Sequence, residues 1–443
     1  MPPVPRAVSS GSHDLPPTVT GPLHRLRESA DALSERNFRL LWLGQTGSTF
    51  GDGLTFVAIA FAVIGLGGSA TDLGLVFAAY SLPNVVFLLA GGVWADRLPR
   101  NLVMLTSDGI RAVVQTGFAY LLFSGSAEIW HLIVVAALHG TSSAFFVPAA
   151  TGLMPQVVSQ PRLQQANALM AISRSLAFII GPAVSGIIVA TFGPGWVFAI
   201  DAATYVLSLV TLAALQIDRQ AAVAERASFL SELAHGWREV RSRDWLIASL
   251  LAFSLSNIGL GAFMVLGPLI IDRELGGAAD WGLILTVGSL GALLGGAVAL
   301  RWKPGRPLLV GFLVMLVGVT RTLSLIPPLP VLVLALTSLG TMMAITLSNT
   351  LWETVLQERI PQGSLSRVSS YDWMVSLVFQ PVAFALVGPL ADAIGEAQTL
   401  LIASAIVVAG NAGILILVPS VRRMKRLELE DPPLPASEAA SIP

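Results

Sequence analysis

The 443-residue sequence contains no cysteine, which excludes disulfides, thiolate metal sites and cysteine nucleophiles. Charge is scarce as well. Asp, Glu, Lys and Arg make up 12% of the residues, about half the share found in an ordinary soluble domain. So few ionisable groups cannot cover the surface of a water-soluble chain of this length. Only two lysines occur, Lys303 and Lys425, and neither stands in a Gly-Lys-Ser/Thr phosphate loop, so no ATP site is expected. The five histidines form no HExxH pair or other metal-ligand spacing, and no cofactor is expected. A net charge of −1 lacks the basic footprint of a nucleic-acid binder.

What is present is apolar. Hydrophobic residues make up 54% of the chain, and the mean hydropathy is +0.74. A hydrocarbon core about 30 Å thick requires roughly 20 apolar residues per helix. Runs of that kind occur near 40–64, 72–93, 102–123, 129–152, 171–191, 196–215, 246–271, 281–300, 308–326, 330–352, 371–390 and 398–418. The fold class expected is therefore an all-α integral membrane protein with twelve transmembrane helices. Residues 1–37 and 419–443 read as flexible tails, and the first apolar run starts too late and is too long for a cleavable signal. Of the 26 lysines and arginines, all but Arg111, Arg273 and Arg321 fall on one side of such a layout. By the positive-inside rule that side is cytoplasmic and holds both termini, which places the chain in the cell membrane.

The sequence also repeats itself. Asp72-Leu-Gly-Leu, followed by Ser81-Leu82, matches Asp280-Trp-Gly-Leu, followed by Ser289-Leu290, 208 positions on. Arg97 and Arg100 align with Lys303 and Arg306, and Pro182 aligns with Pro381. Two six-helix bundles, 38–215 and 246–418, are expected, joined by an Arg-rich cytoplasmic linker at 216–245. Within that linker, 225–245 suits an amphipathic helix on the membrane surface. Parallel halves of this kind place a binding site between them.

Between spans two and three stands Gly92-Val-Trp-Ala-Asp96-Arg97-Leu-Pro-Arg100-Asn101. It resembles the G-x-x-x-D-R-x-G-R-R/K signature of the major facilitator superfamily, with Pro99 and Asn101 as departures. The resemblance implies a gate on the cytoplasmic side, with Asp108 and Arg111 forming an ion pair or joining it. A plain positive-inside anchor accounts for the arginines but not for Asp96. Span five carries Ala177-Phe-Ile-Ile-Gly181-Pro182-Ala-Val-Ser185-Gly186, similar to the superfamily's antiporter motif. Its small residues allow close packing, and Pro182 bends the helix. Gly51-Asp52-Gly53, Phe146-Val-Pro148-Ala149, Gln165-Ala-Asn-Ala168 and Phe229-Leu-Ser-Glu-Leu-Ala-His-Gly236 resemble the drug:proton antiporter branch that contains enterobactin, macrolide and multidrug exporters. The resemblance, from about Asn37 to Val418, implies proton-coupled efflux of an amphipathic small molecule, with small-molecule substrate, protons and membrane lipid as partners. An uptake symporter or lysolipid flippase of the same fold remains open, as does a non-transporting membrane sensor. Many proton antiporters carry R-x-x-Q-G in span four, whereas this chain has Ala136-Ala-Leu-His139-Gly140. Proton coupling here has to use other groups.

Ionisable groups within the spans are costly and need a reason. Asp52 lies twelve residues beyond Leu40, about 18 Å into the membrane, where a carboxyl that gains and loses a proton is of use. A structural role, accepting N–H groups between glycines, is the alternative. His139 is at similar depth and titrates near neutrality when unperturbed, or serves as a neutral hydrogen-bonding residue. Gln45, Phe56, Asn257, Asn349 and Gln380 are candidates to line the cavity, and Trp42 and Tyr80 to wall it. Arg321 is expected to snorkel to the surface, and Asp201 to be shallow enough for water to reach it. Gly291 and Gly295 in span eight form a helix-packing pair.

Overall fold

A computed structural model describes residues 31–216 and 237–426, without the side chains of 88–97 and of several residues between 362 and 377. Among these residues there is no strand, and twelve helical segments run back and forth. The first six are Arg36–Gly65, Ala70–Arg97, Arg100–Ser124, Ile129–Val157, Leu163–Phe192 and Pro194–Ala213. The second six begin with Asp244–Glu274 and Gly277–Arg301. The ninth is broken into Pro307–Met315 and Gly318–Leu323, and Val331–Arg359, Gln362–Ile394 and Glu396–Leu417 complete the set. We number them as spans one to twelve. Nine helices among the described residues are long and apolar enough to cross a membrane. Span three is not one of them, because its apolar face is interrupted by the buried Asp108, Arg111 and Gln115.

Twelve being even, both ends of the described chain lie on one face of the bundle, called here the terminus face. Order extends past the tail boundaries expected at 37 and 419. Asp31–Ser34 forms a 3-10 turn that buries Ala32, and Pro419–Arg423 forms a short helix that buries Val421. The rest of both tails and linker residues 217–236 lie outside the described residues.

The apolar core is not uniform across the membrane. Toward the face opposite the termini, one cluster runs through both halves, from Leu54, Phe61, Leu73 and Phe77 to Phe263, Trp281 and Phe384. On the terminus side there are two separate clusters. One is built from the first half around Phe38, Met104, Phe146 and Leu153. The other is built from the second half around Trp245, Phe312, Trp352 and Leu356. Among the described residues, the halves thus share one core at the far face and keep separate cores on the terminus side.

The seal is made by the repeated segments. Gly74 of span two meets the Phe384 carbonyl of span eleven, and its repeat partner Gly282 of span eight meets the Pro182 carbonyl of span five. A Cβ on Gly186 would lie 2.5 Å from the Ala278 carbonyl oxygen, and one on Gly388 would collide with Thr71. Thr71 Oγ1 donates to Asp392 at 2.6 Å, and Ser289 Oγ donates to the Phe178 carbonyl at 2.9 Å. Bare backbones approach because no side chain stands between them, which strengthens van der Waals packing where there is no hydrophobic drive between helices. Gly291 and Gly295 seat span eight against Leu339 and Met343 of span ten within one half.

Candidate functional site

Five helices of the first half bring a polar cluster to mid-membrane. Asp52, flanked by Gly51 and Gly53, sits sixteen residues into span one, about 24 Å along its axis. Both glycines are spent on packing. Gly53 lies against Ala177 and Gly181 of span five, and Gly51 against Asp201 and Thr204 of span six. Span one is thereby locked in rotation, and the Asp52 side chain is left 35% exposed.

Tyr205 of span six donates its hydroxyl to Asp52 Oδ1. His139 Nε2 of span four lies 3.4 Å from the same Asp52 oxygen and 3.3 Å from Tyr205 Oη. A proton on Nε2 therefore bridges both oxygens. Tyr80 of span two packs edge-on to the imidazole at 5.7 Å between ring centroids. The ring of Tyr205 in turn lies 5.5 Å from the Arg111 guanidinium, which Phe146 flanks at 4.9 Å. Arg111 donates to Ser143 Oγ at 2.7 Å and to Asp108 Oδ1 at 3.4 Å, and Ser208 donates to Asp108 Oδ2 at 2.6 Å. The result is a continuous run from the partly exposed carboxylate through Tyr205 and His139 to a buried Arg–Asp pair. Span four carries alanine where many proton antiporters have arginine, and a guanidinium reaches the same neighbourhood from span three.

The geometry departs from several expectations. Asp108 and Arg111 do form an ion pair, but their partners are Ser208 and Ser143 deep in the bundle. Asp201 is fully buried rather than wetted. It accepts from Thr55 Oγ1 at 3.1 Å and from Gln115 Nε2, which holds spans one, three and six together. Arg321 does not snorkel. It is 3% exposed, with its guanidinium 4.1 Å from the Phe263 ring centroid. The reason is the break in span nine, whose second piece turns the side chain inward. A charge at this depth costs roughly 2.5–3.5 kcal/mol, and a desolvated cation–π contact returns about 2 kcal/mol.

Gly92, Asp96 and Arg97, expected to gate, lie in the last turns of span two, where side chains fall outside the described residues. Arg100, the first residue of span three, donates to the Gly152 carbonyl of span four. In the antiporter motif, Gly181 packs on Gly53, while Pro182 and Gly186 face Gly282 and Ala278 across the far-face seal. Of the expected cavity residues, Asn257 and Asn349 line a cavity of about 550 Å³ within the second half. Phe56 is 40% exposed, Gln45 is buried in packing, and Gln380 is half-buried on span eleven outside that lining. Trp42 donates to Ser173 Oγ at 3.0 Å, bracing span one on span five. Sequence reasoning missed Tyr205. The available signal was its place one turn after Asp201, in a chain with only four tyrosines.

Comparison with known proteins fits this arrangement. The sequence profile of the Major Facilitator Superfamily matches residues 41–378. The chain belongs to the Major Facilitator Superfamily. It is a multi-pass membrane transporter whose cargo is a small molecule. Its relatives include macrolide efflux protein A of Streptococcus pyogenes, 23% identical over 89% of this chain and 98% of that protein. Another is the multidrug efflux pump Tap of Mycolicibacterium fortuitum, 26% identical over 79% of this chain and 88% of that one. Among solved structures, the nucleoside transporter NupG superposes with a TM-score of 0.71, covering 86% of this chain and all of that one at 12% identity. A bacterial homologue of the human lysosomal transporter Spinster, in an inward-facing and unoccupied conformation, gives a TM-score of 0.67 at 12% identity, over 88% and 98% of the two chains. At such identities the structural likeness speaks to the superfamily fold alone.

Proposed function

We propose that this transporter exports an amphipathic small molecule from the cytoplasm in exchange for protons, by alternating access. The observation that carries the reading is Asp52. It is a mid-membrane carboxylate, 35% exposed, that touches a histidine and a tyrosine. A carboxylate so placed meets substrate and proton at one point, so the two compete for it. The Tyr205 hydroxyl and His139 Nε2 are the groups through which a proton leaves or reaches it. Arg111 behind Tyr205 is a positive charge held in place by Asp108 and Ser143.

In this reading 38–215 and 246–418 rock as two units about the site, with both termini cytoplasmic in the cell membrane. The terminus face, where the cores are separate, then opens to the cytoplasm, ready to load cargo. The Gly92, Asp96, Arg97 and Arg100 loop latches that face when the far face opens, and Gly181, Pro182 and Gly186 are part of the seal that must separate. Relatives named for macrolide and multidrug efflux support the outward direction.

Proteoliposomes test it. With cargo identified from a panel of macrolides, tetracyclines, siderophores and lysolipids, an imposed pH gradient is expected to accelerate transport at least tenfold. Asp52→Asn is expected to remove that acceleration while counterflow without a gradient persists. Transport indifferent to the pH gradient in the wild type would sink the proton assignment.

A further inference from the structure

The transport reading uses the polar cluster of the first half and leaves the cavity of the second half without a task. That cavity is uneven in charge. Its lining holds Glu353 and Asp372 toward the terminus face and Arg321 with Thr341 at its deeper end. Glu353 stands six residues from the end of span ten and Thr341 eighteen, about 9 and 27 Å along the helix. Trp352 Nε1 donates to Asp372 Oδ2 at 3.0 Å, which fixes that carboxylate and leaves its other oxygen to the cavity.

The deep end is the unusual part. Arg321 is 97% buried, yet among the described residues neither a carboxylate nor a carbonyl oxygen accepts from its guanidinium, and its Nε is buried without a partner. Its ring contact among the described residues is the face of Phe263, 4.1 Å from the guanidinium carbon, which offers no oxygen or nitrogen acceptor. A buried guanidinium is ordinarily paired, because an unpaired one forfeits its hydration for nothing. Here the guanidinium rests on an aromatic ring and lines a cavity whose wall also carries Asn257 and Asn349. A carboxylate or phosphate matches a guanidinium's fork of donors with two parallel hydrogen bonds.

We infer that the second-half cavity is an anion subsite, in which Arg321 selects cargo bearing a carboxylate or phosphate group. The inference rests on the transport reading for its context. It narrows that reading to amphipathic molecules with an anionic end, seated deep, and room for a cationic end beside Glu353 and Asp372. A bound lipid headgroup would present the same chemistry to the same fork.

The test is binding to the purified full chain in detergent, with no gradient, so that its outcome is independent of proton coupling. The probes are rhodamine B, which carries a carboxylate, and its ethyl ester, which lacks one, each followed by fluorescence anisotropy. Wild type is expected to bind the acid at least tenfold more tightly than the ester, and Arg321→Gln to bring that ratio to about one. Arg321→Lys, which keeps the charge but loses the fork, is expected to fall between them. Thermal unfolding of each variant shows whether it is folded. If Arg321→Gln is not folded, the lysine variant and competition by inorganic phosphate against wild type decide the matter. Displacement of rhodamine B by millimolar phosphate supports a subsite for soluble anions. Displacement by micromolar dihexanoyl phosphatidylglycerol alone supports a subsite filled by lipid. A wild-type ratio below threefold, or a ratio unchanged in folded Arg321→Gln, overturns the inference.

Discussion

Gly282→Ala is expected to open the far face. In the described conformation the added Cβ would lie 3.1 Å from Gly186 Cα and 3.2 Å from the Pro182 carbonyl carbon, and nearer still to its oxygen. These are backbone atoms of a neighbouring helix, so no flexible side chain can swing away. Forcing a methyl group into such a contact costs about 1–3 kcal/mol. The cost falls only on the state in which spans five and eight touch. At about 1.4 kcal/mol per tenfold, the equilibrium should move about 5- to 150-fold toward the state in which they part. Because the chain has no cysteine, single introduced thiols report without background. Spin labels at Ser126→Cys and Ala397→Cys, exposed at the far face in opposite halves, should show a longer distance population in Gly282→Ala. Labels at Gln160→Cys and Lys303→Cys on the terminus face should show a shorter one. Unchanged distributions at both faces would refute the argument that this backbone contact holds the far side shut.

Two further outcomes concern stability. Asp201→Ala leaves the Gln115 donor buried without its acceptor, at about 1–3 kcal/mol, while Thr55 keeps the Gly51 carbonyl, so the melting temperature in detergent should fall by a few degrees. An unaltered melting temperature would show that Asp201 does not hold spans one, three and six together. At the terminus face, partial burial by itself raises the affinity of the Glu35 carboxylate for a proton. The donated bonds from Ser159 and Arg162 outweigh it, and its pKa lies below the ordinary 4.5. Stabilisation by Glu35 is therefore present above about pH 4.5 and is lost as pH falls through the lowered value. Glu35→Gln should cost under about 1 kcal/mol at pH 7, given the exposure of the pair, and less as the pH falls through the lowered value. A deficit that does not shrink on acidification would contradict this.

The sequence by itself determined the class of molecule, because hydropathy is a local property read directly along the chain. Twelve apolar stretches, a repeated Asp-x-Gly-Leu segment and the Asp96–Arg100 loop are all statements about neighbours in sequence. They sufficed for the fold and the superfamily. Which polar groups meet was another matter. Helices in lipid are apolar nearly all round, so the usual one-sided pattern that reports a helix's rotation is faint. Asp52 and His139 could be singled out for depth, but their contact, and the Tyr205 that joins them, depend on how spans one, four and six are turned. Close glycine contacts at 51 and 53 decide that turn, and they exist only once the helices are packed. Arg321 shows the same limit more sharply. Along the chain it is one arginine near the end of a span, free to reach water. In three dimensions a break in span nine and the ring of Phe263 direct it into a cavity, and only packing could choose between the two.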